Sequence, residues 1–259
     1  MGENSRFRNV YSLDGEEESE IELPEVFEAP FRPDLIKRDF IASFTKAVQP
    51  KGRDPTAGTK TTAESIGKGS GRARVRRKRT GDRNAAFVPF AVGGRVAHPP
   101  KAEEDVSENI NKKERKLARK SAIAASKVPK YVENKGHKFD NSLELPIIVS
   151  DEIQKVNKTA EVREIFKTLG IWEDVQRAKE KTKKIRSGKG KSRGRKHKGA
   201  KSVLIIVEED EGIVYGARNL PGVEIVKIEN LGTIHLAPGA KPGRLTIWSE
   251  SAIKALEEM

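Results

Sequence analysis

Val203-Leu204-Ile205-Ile206-Val207 is five apolar residues in a row, with no polar residue to mark a wet face. A strand with one face in water alternates, so an unbroken, β-branched run of this length demands cover on both sides. Leu145-Pro146-Ile147-Ile148-Val149 reads the same way, and shorter runs follow at Val223-Glu224-Ile225-Val226-Lys227-Ile228 and Leu245-Thr246-Ile247-Trp248. Helical patterns stand between and around them. Thr159 to Leu169 sets Val162, Ile165, Phe166 and Leu169 at i, i+3, i+4 and i+7, with Thr159 as expected N-cap and Gly170 as a stop. Trp172 to Ile185 begins a further helix that is expected to fray into lysines, Tyr215 to Asn219 reads as a helical turn, and Glu250 to Glu257 closes the chain. Strand and helix in alternation predict an α/β fold with a doubly wound, mainly parallel sheet flanked by helices.

Upstream, Asp34 to Gln49 predicts a helix with Pro33 in its first turn and Ile36, Phe40, Phe44 and Ala47 or Val48 on one stripe. Lys112 to Ser126 predicts a basic amphipathic helix with Leu117, Ala118, Ala122 and Ala125 along its seam. Between these helices the pattern stops. Lys51 to Lys101 holds eight Gly and four Pro, and Gly67 to Arg79 shows no period of 2 or 3.6. Such a stretch buries too little apolar surface to offset the entropy of ordering it, and is expected to stay shapeless until a ligand surrounds it. The expected organisation is a globular α/β domain from residues 1–50 and 102–259, interrupted at 51–101 by a long extended loop. At ~3.3 Å per residue, about 25 residues out and back reach on the order of 80 Å.

Charge follows the same division. The chain of 259 residues carries 51 Lys and Arg against 38 Asp and Glu, a net of +13. Lys51 to Lys101 alone has thirteen cations and three acids, and Gln176 to Lys201 has thirteen and one, which leaves everything else net acidic. Segregation of this kind is the footprint of a polyanionic partner, because a merely solubilising surface intersperses the signs. The two windows differ in kind: the first has eight Arg to five Lys, the second four to nine. Guanidinium forks grip phosphate bidentately and stack on bases, so the first is expected to be held in a defined path.

Several functions are excluded by residue type. No cysteine occurs, which removes disulfides, thiolate nucleophiles and cysteine metal sites. The longest apolar runs fall far short of the ~20 residues of a membrane span, and the start, Met1 to Arg6, predicts no signal peptide; a soluble, intracellular protein is expected. Gly67-Lys68-Gly69 lacks the Ser or Thr and the upstream Gly of a P-loop, and Gly190-Lys191-Ser192 has Ile185 where that Gly belongs. His98, His137, His197 and His235 form no metal-ligand spacing, and Glu16-Glu17-Glu18 and Glu208-Glu209-Asp210-Glu211 read as solvated runs or acidic loops. No catalytic residue, metal, cofactor or small-molecule substrate is expected. Phe87 and Phe90 beside Gly93-Gly94 and Arg95 fit either an aromatic stacking platform with a close backbone approach to RNA or a small cluster that anchors the loop base.

The run Gly67-Lys-Gly-Ser-Gly-Arg-Ala-Arg-Val-Arg-Arg77, followed by Arg83-Asn-Ala-Ala-Phe-Val-Pro-Phe-Ala-Val-Gly-Gly-Arg-Val-Ala-His-Pro-Pro-Lys101, closely resembles the internal loop of the large-subunit ribosomal protein L-four family, in its archaeal branch. It departs from that pattern at Arg76, where Pro is expected. The resemblance implies a globular domain on the large subunit, with a loop that threads into 23S-type ribosomal RNA, a tip near the wall of the peptide exit tunnel, neighbouring ribosomal proteins as partners, and a ribosome-bound, cytoplasmic location. Resemblance and charge together give as candidate RNA contacts Arg53, Lys60, Lys68, Arg72, Arg74, Arg76, Arg77, Lys78, Arg79, Arg83, Arg95, His98 and Lys101 in the first window, and Lys189, Lys191, Arg193, Arg195, Lys196 and Lys198 in the second. The tip is expected at Ala63, Glu64, Ser65, Ile66, Gly67, Gly69 and Gly71. Two readings compete: a nucleoid or DNA-packaging protein with basic arms, and an RNA-modifying enzyme on a Rossmann-like body.

Overall fold

A computed structural model describes residues 6–140 and 143–257. The chain divides into two compact units, Thr45–Ser107 and the remainder on either side of it. In the larger unit, β1 (Phe7–Tyr11), β2 (Glu17–Glu22), β5 (Ile147–Val149), β6 (Leu204–Val207), β7 (Glu224–Lys227) and β8 (Thr246–Ser249) form one sheet in the order β2-β1-β5-β8-β6-β7. From β1 to β7 every neighbouring pair is parallel, and β2 alone runs antiparallel, at the edge. The strands β3 (Ala63–Ser65) and β4 (Arg76–Lys78) belong to the smaller unit.

The unbroken apolar runs do what their composition requires. Every residue of β5, β6 and β8 is buried, and alternate residues enter two separate cores. Ile147, Val149, Ile205, Val207 and Ile247 face one core, with Val162, Ile165 and Phe166 of α4 (Thr159–Thr168), Val175 of α5 (Trp172–Lys183) and Ile213 of α6 (Ile213–Ala217). Ile148, Leu204, Ile206 and Trp248 face the other, with Ile36 of α1 (Pro33–Lys46), Ala122 and Ile123 of α2 (Lys112–Lys127) and Ile253 of α8 (Glu250–Glu257). Helices thus cover both faces of a mainly parallel sheet. Two short helices, α3 (Pro129–Asn134) and α7 (Thr233–Leu236), complete the set.

Several expectations need correction. Of the stripe expected on α1, Ile36 is buried, but its buried companions are Leu35, Asp39 and Ala42; Phe40 is half-buried, Phe44 exposed, and Ala47 and Val48 lie beyond the helix end. Asp39 turns inward because it accepts a 2.5 Å hydrogen bond from Thr233 Oγ1 and pairs with Arg115 at 3.4 Å. Phe40 and Phe44 stack on each other instead, at 6.0 Å, and Phe44 is exposed. The helix stops at Lys46 rather than Gln49, where Pro50 disfavours helical backbone in the residue before it. On α2, Leu117 is exposed, being about 100° around the helix from Ala118. Thr159 begins α4 rather than capping it; the cap is Lys158. Of the two readings of Glu16-Glu17-Glu18, the solvated face holds and the loop does not: Glu17 and Glu18 begin the edge strand β2, whose charged, open faces protect its unpaired backbone from other strands. The run Glu208-Glu209-Asp210-Glu211 is exposed as expected, and within it the Asp210 carboxylate accepts the amides of Gly212 and Val214 at the first turn of α6.

Candidate nucleic-acid interface

In the smaller unit, backbone hydrogen bonds supply the order that apolar burial cannot. β3 and β4 pair antiparallel, Ala63 with Lys78, Glu64 with Arg77 and Ser65 with Arg76, so Ile66 to Val75 is the connection between them. On its other side β4 is tied to a third segment: the amide of Lys78 donates to Asn84 O at 3.1 Å and that of Ala86 to Arg76 O at 2.9 Å. The stretch expected to be shapeless therefore holds a small β-structure. It could not be read as periodicity because almost nothing in it is buried; Ala86 and Gly94 are the buried residues between Thr45 and Ser107.

Of the two readings of Gly93-Gly94, the packing of Gly94 fits an anchor at the loop base, while Gly93 has open space where a Cβ would stand. A Cβ on Gly94 would lie 2.0 Å from Val88 O, and one on Gly58 would lie 2.3 Å from Gly94 O. Backbone of the same unit fills the space that the glycines leave. Gly67, Gly69 and Gly71 differ, with positive φ and open space where a Cβ would stand, so they shape the turn without packing against anything described. Of the expected tip residues, Ala63, Glu64 and Ser65 stand in β3, while Ile66, Gly67, Gly69 and Gly71 lie in the connection that follows.

The candidate contacts of this unit are solvent-facing. Arg53, Lys60, Lys68, Arg72, Arg74, Arg76, Lys78, Arg79, Arg83, Arg95, His98 and Lys101 are exposed, and Arg77 is half-buried. Among the described residues two of them meet a carboxylate: Lys60 reaches Asp54 at 2.6 Å and Arg79 reaches Glu64 at 3.3 Å. The Lys60 ammonium, with the Thr56 hydroxyl and amide, holds the Asp54 carboxyl below its usual range. Arg76 spends its guanidinium on an aromatic face, with Cζ 4.9 Å from the centre of the Phe87 ring.

The second basic segment belongs to the larger unit and closes on itself. α5 does not fray into it but ends at Lys183. Ile185 and His197 then form an antiparallel bridge, Arg186 N donates to Lys196 O at 2.8 Å, and a 3-10 turn at Lys191–Arg193 ends on Gly194 with left-handed φ. Lys189, Lys191, Arg193, Arg195, Lys196 and Lys198 are all exposed around this closed loop. His197 is exposed beside them, with its Nδ1 3.1 Å from the carbonyl of Thr182 in the last turn of α5.

Both feet of that loop are fastened by ion pairs, one of them buried. Asp174 is fully buried on α5 and accepts from His137 Nδ1 at 3.0 Å, Lys138 N at 3.0 Å and Arg177 Nε at 2.8 Å. Burial alone would raise its pKa, but the hydrogen bonds from His137 and Arg177 prevail and hold it below the usual carboxylate value. Burial pushes His137 down more strongly than Asp174 pulls it up. Arg177 also donates to Lys201 O at 3.0 Å. Lys201 in turn pairs with Glu224, as does Arg244, whose side chain is wholly buried. Arg244 Nε donates to Ser202 O at 2.9 Å and Nη1 to His235 O at 2.9 Å. A third cationic surface escaped the window count: Lys112, Lys113, Lys116 and Lys120 are exposed on α2. Charge tallied by helix face rather than by window reveals it.

Among the described residues no group of three His, Asp or Glu is placed to hold a metal, and no helix is long and apolar enough to cross a membrane. What remains is an α/β fold whose larger unit and smaller unit each present a stretch of outward-facing cations, an electrostatic pattern characteristic of nucleic-acid-binding proteins. Comparison with known proteins gives the family. The ribosomal protein L4/L1 family matches residues 21–259. The chain is 53% identical over 249 residues to the large ribosomal subunit protein uL4 of Methanococcus aeolicus, a match that spans 96% of this chain and 98% of the relative. It is likewise 53% identical to the protein of that name in Methanocaldococcus jannaschii, over 96% of this chain and 97% of the relative, and 52% identical to that of Methanosphaera stadtmanae, over 97% and 96%. The chain belongs to the ribosomal protein L4/L1 family, in its archaeal uL4 branch. It is a structural, non-enzymatic constituent of the large ribosomal subunit, located with the ribosome in the cytoplasm.

Proposed function

We propose that residues 51–101 form an extended internal loop that binds large-subunit ribosomal RNA and carries its tip, at Ala63 to Gly71, toward the peptide exit tunnel, supporting subunit assembly and the tunnel wall. The observation that carries this reading is the excess of exposed cations without a carboxylate partner: among the candidates in this unit, Lys60 and Arg79 are ion-paired and the other Arg and Lys residues have no ion pair among the described residues. A surface of one sign raises the local concentration of a polyanion and speeds its association, which an interspersed surface does not. Each phosphate that a Lys or Arg neutralises releases condensed counterion, so affinity builds by contact and decays with salt. The closed loop at 185–198 and the basic face of α2 add sequence-independent contacts.

Incorporation of the full chain into large subunits, compared with a variant that lacks residues 51–101, tests this. The variant is expected to be lost from subunits in a high-salt wash while its domain still folds; retention equal to that of the full chain refutes the anchoring role. Equal affinity for duplex DNA and large-subunit RNA would favour a DNA-packaging protein instead.

A further inference from the structure

We infer that a cleft in the smaller unit, formed by Arg74, Arg76, Phe87, Phe90 and Arg95, is a receptor for a single unpaired RNA base and its flanking phosphates. This deepens the reading that the unit binds ribosomal RNA, and rests on it. The cleft encloses about 510 Å³, inside the ~300–1,000 Å³ range of sites that take small planar ligands. It is lined by three guanidiniums and two phenyl rings, with no carboxylate.

Its parts are placed by the local β-structure. Arg74 and Arg76 are two residues apart on the approach to and start of β4, so in extended chain they share a side. The Ala86 amide bound to Arg76 O sets Phe87 next to β4. Phe87 holds φ at +71°, a left-handed conformation that a bulky residue adopts at a cost of order 1 kcal/mol or more. The result is a ring stacked beneath the Arg76 guanidinium. Phe90 is 76% exposed and stacks on no ring among the described residues, although it is the most exposed phenylalanine of the chain.

Stacked arginine and phenylalanine beside an open ring are what a splayed-out base requires: π-faces to lie against, and cations to hold the phosphates on either side. A phosphate alone has no use for the rings. A base within a duplex has both faces covered, so the cleft selects unpaired nucleotides, and because every base has a π-face it tolerates any of the four.

The test uses the full-length chain with two RNA hairpins that differ by one bulged 2-aminopurine. The bulged hairpin is expected to bind more tightly and its fluorescence to be quenched by stacking. Phe90→Leu is expected to lower affinity for the bulged hairpin by about 5- to 100-fold and leave the unbulged one unchanged, while Phe90→Trp preserves both binding and quenching. Since Phe90 is exposed, neither substitution disturbs packing. If Phe90→Leu changes nothing while Arg74→Glu weakens both hairpins, the base site is refuted and RNA binding by the unit stands. If neither hairpin binds in a salt-sensitive way, the underlying reading is refuted. Displacement of the hairpin by an acidic peptide with the same dependence on Phe90 would refute the base site in favour of a protein ligand.

Discussion

The two basic regions carry thirteen cations each in the windows Lys51 to Lys101 and Gln176 to Lys201, yet they are held by opposite means. The second is a loop whose feet are fastened to the domain: the buried Asp174 pairs with Arg177, and the partly exposed Glu224 pairs with the exposed Lys201 and the buried Arg244. The first has exposed ion pairs alone, Lys60 with Asp54 and Arg79 with Glu64, and owes its local path to backbone hydrogen bonds and to the packing of Gly58 against Gly94. Lysine dominates where the domain already fixes the path, and a point charge suffices there. Arginine dominates where it does not, and on the RNA contact proposed above the planar fork adds the directional grip that the fold does not provide.

The contrast is sharpest in stability. Glu224→Ala leaves the buried Arg244 with carbonyl partners and the more distant charge of Asp174 but no paired carboxylate, and is expected to lower unfolding free energy by about 3 kcal/mol, at the low end for a broken buried pair because Glu224 is itself partly exposed. Denaturant melts measure this. In RNA binding the ranking reverses. Arg74→Glu is expected to weaken binding to large-subunit RNA about tenfold and Lys191→Glu about threefold, on the scale of one charged hydrogen bond against one exposed point charge; filter binding decides, and the opposite order would break the distinction between a gripping and a supporting segment.

Acid should loosen the second region before the first. The folded Asp174 carboxyl is held below its usual value, so it contributes stability above about pH 4 that is lost as pH falls toward its depressed folded pKa. His137 titrates below its usual value when buried, so protonation of the unfolded chain below about pH 6.5 also favours unfolding. Thermal melts from pH 7 to pH 3 should show falling stability, with a smaller acid-dependent part in Asp174→Asn. Smallest of all is Arg79→Ala, whose exposed pair with Glu64 is worth within about 1 kcal/mol and whose melt should match the parent.

Much of the larger unit was legible because its strands are apolar throughout: β5, β6 and β8 each carry burial on both faces in their composition. The edge pair β1 and β2 was not, since Glu17 to Glu22 is written in the charges that protect an edge and resembles a loop. Helix stripes failed where a buried polar group turned the helix, as Asp39 does in α1. Exposure of the candidate contacts followed from their composition. Their local order did not, because a β-pair such as β3–β4 that buries almost nothing leaves no hydrophobic period. Nor does residue type announce that Arg177 and Lys201 serve the domain while Lys189 and Lys191 face outward.

The most direct test of the central claim is the salt dependence of binding to large-subunit RNA, measured for the full chain, for a variant without residues 51–101, and for one with Lys189, Lys191, Arg193, Arg195, Lys196 and Lys198 neutralised. Each lost phosphate contact should reduce the slope of log affinity against log salt by about 0.7 to 0.9. The account predicts that removing 51–101 flattens the slope more than neutralising the second loop. A slope unchanged by that removal would contradict it.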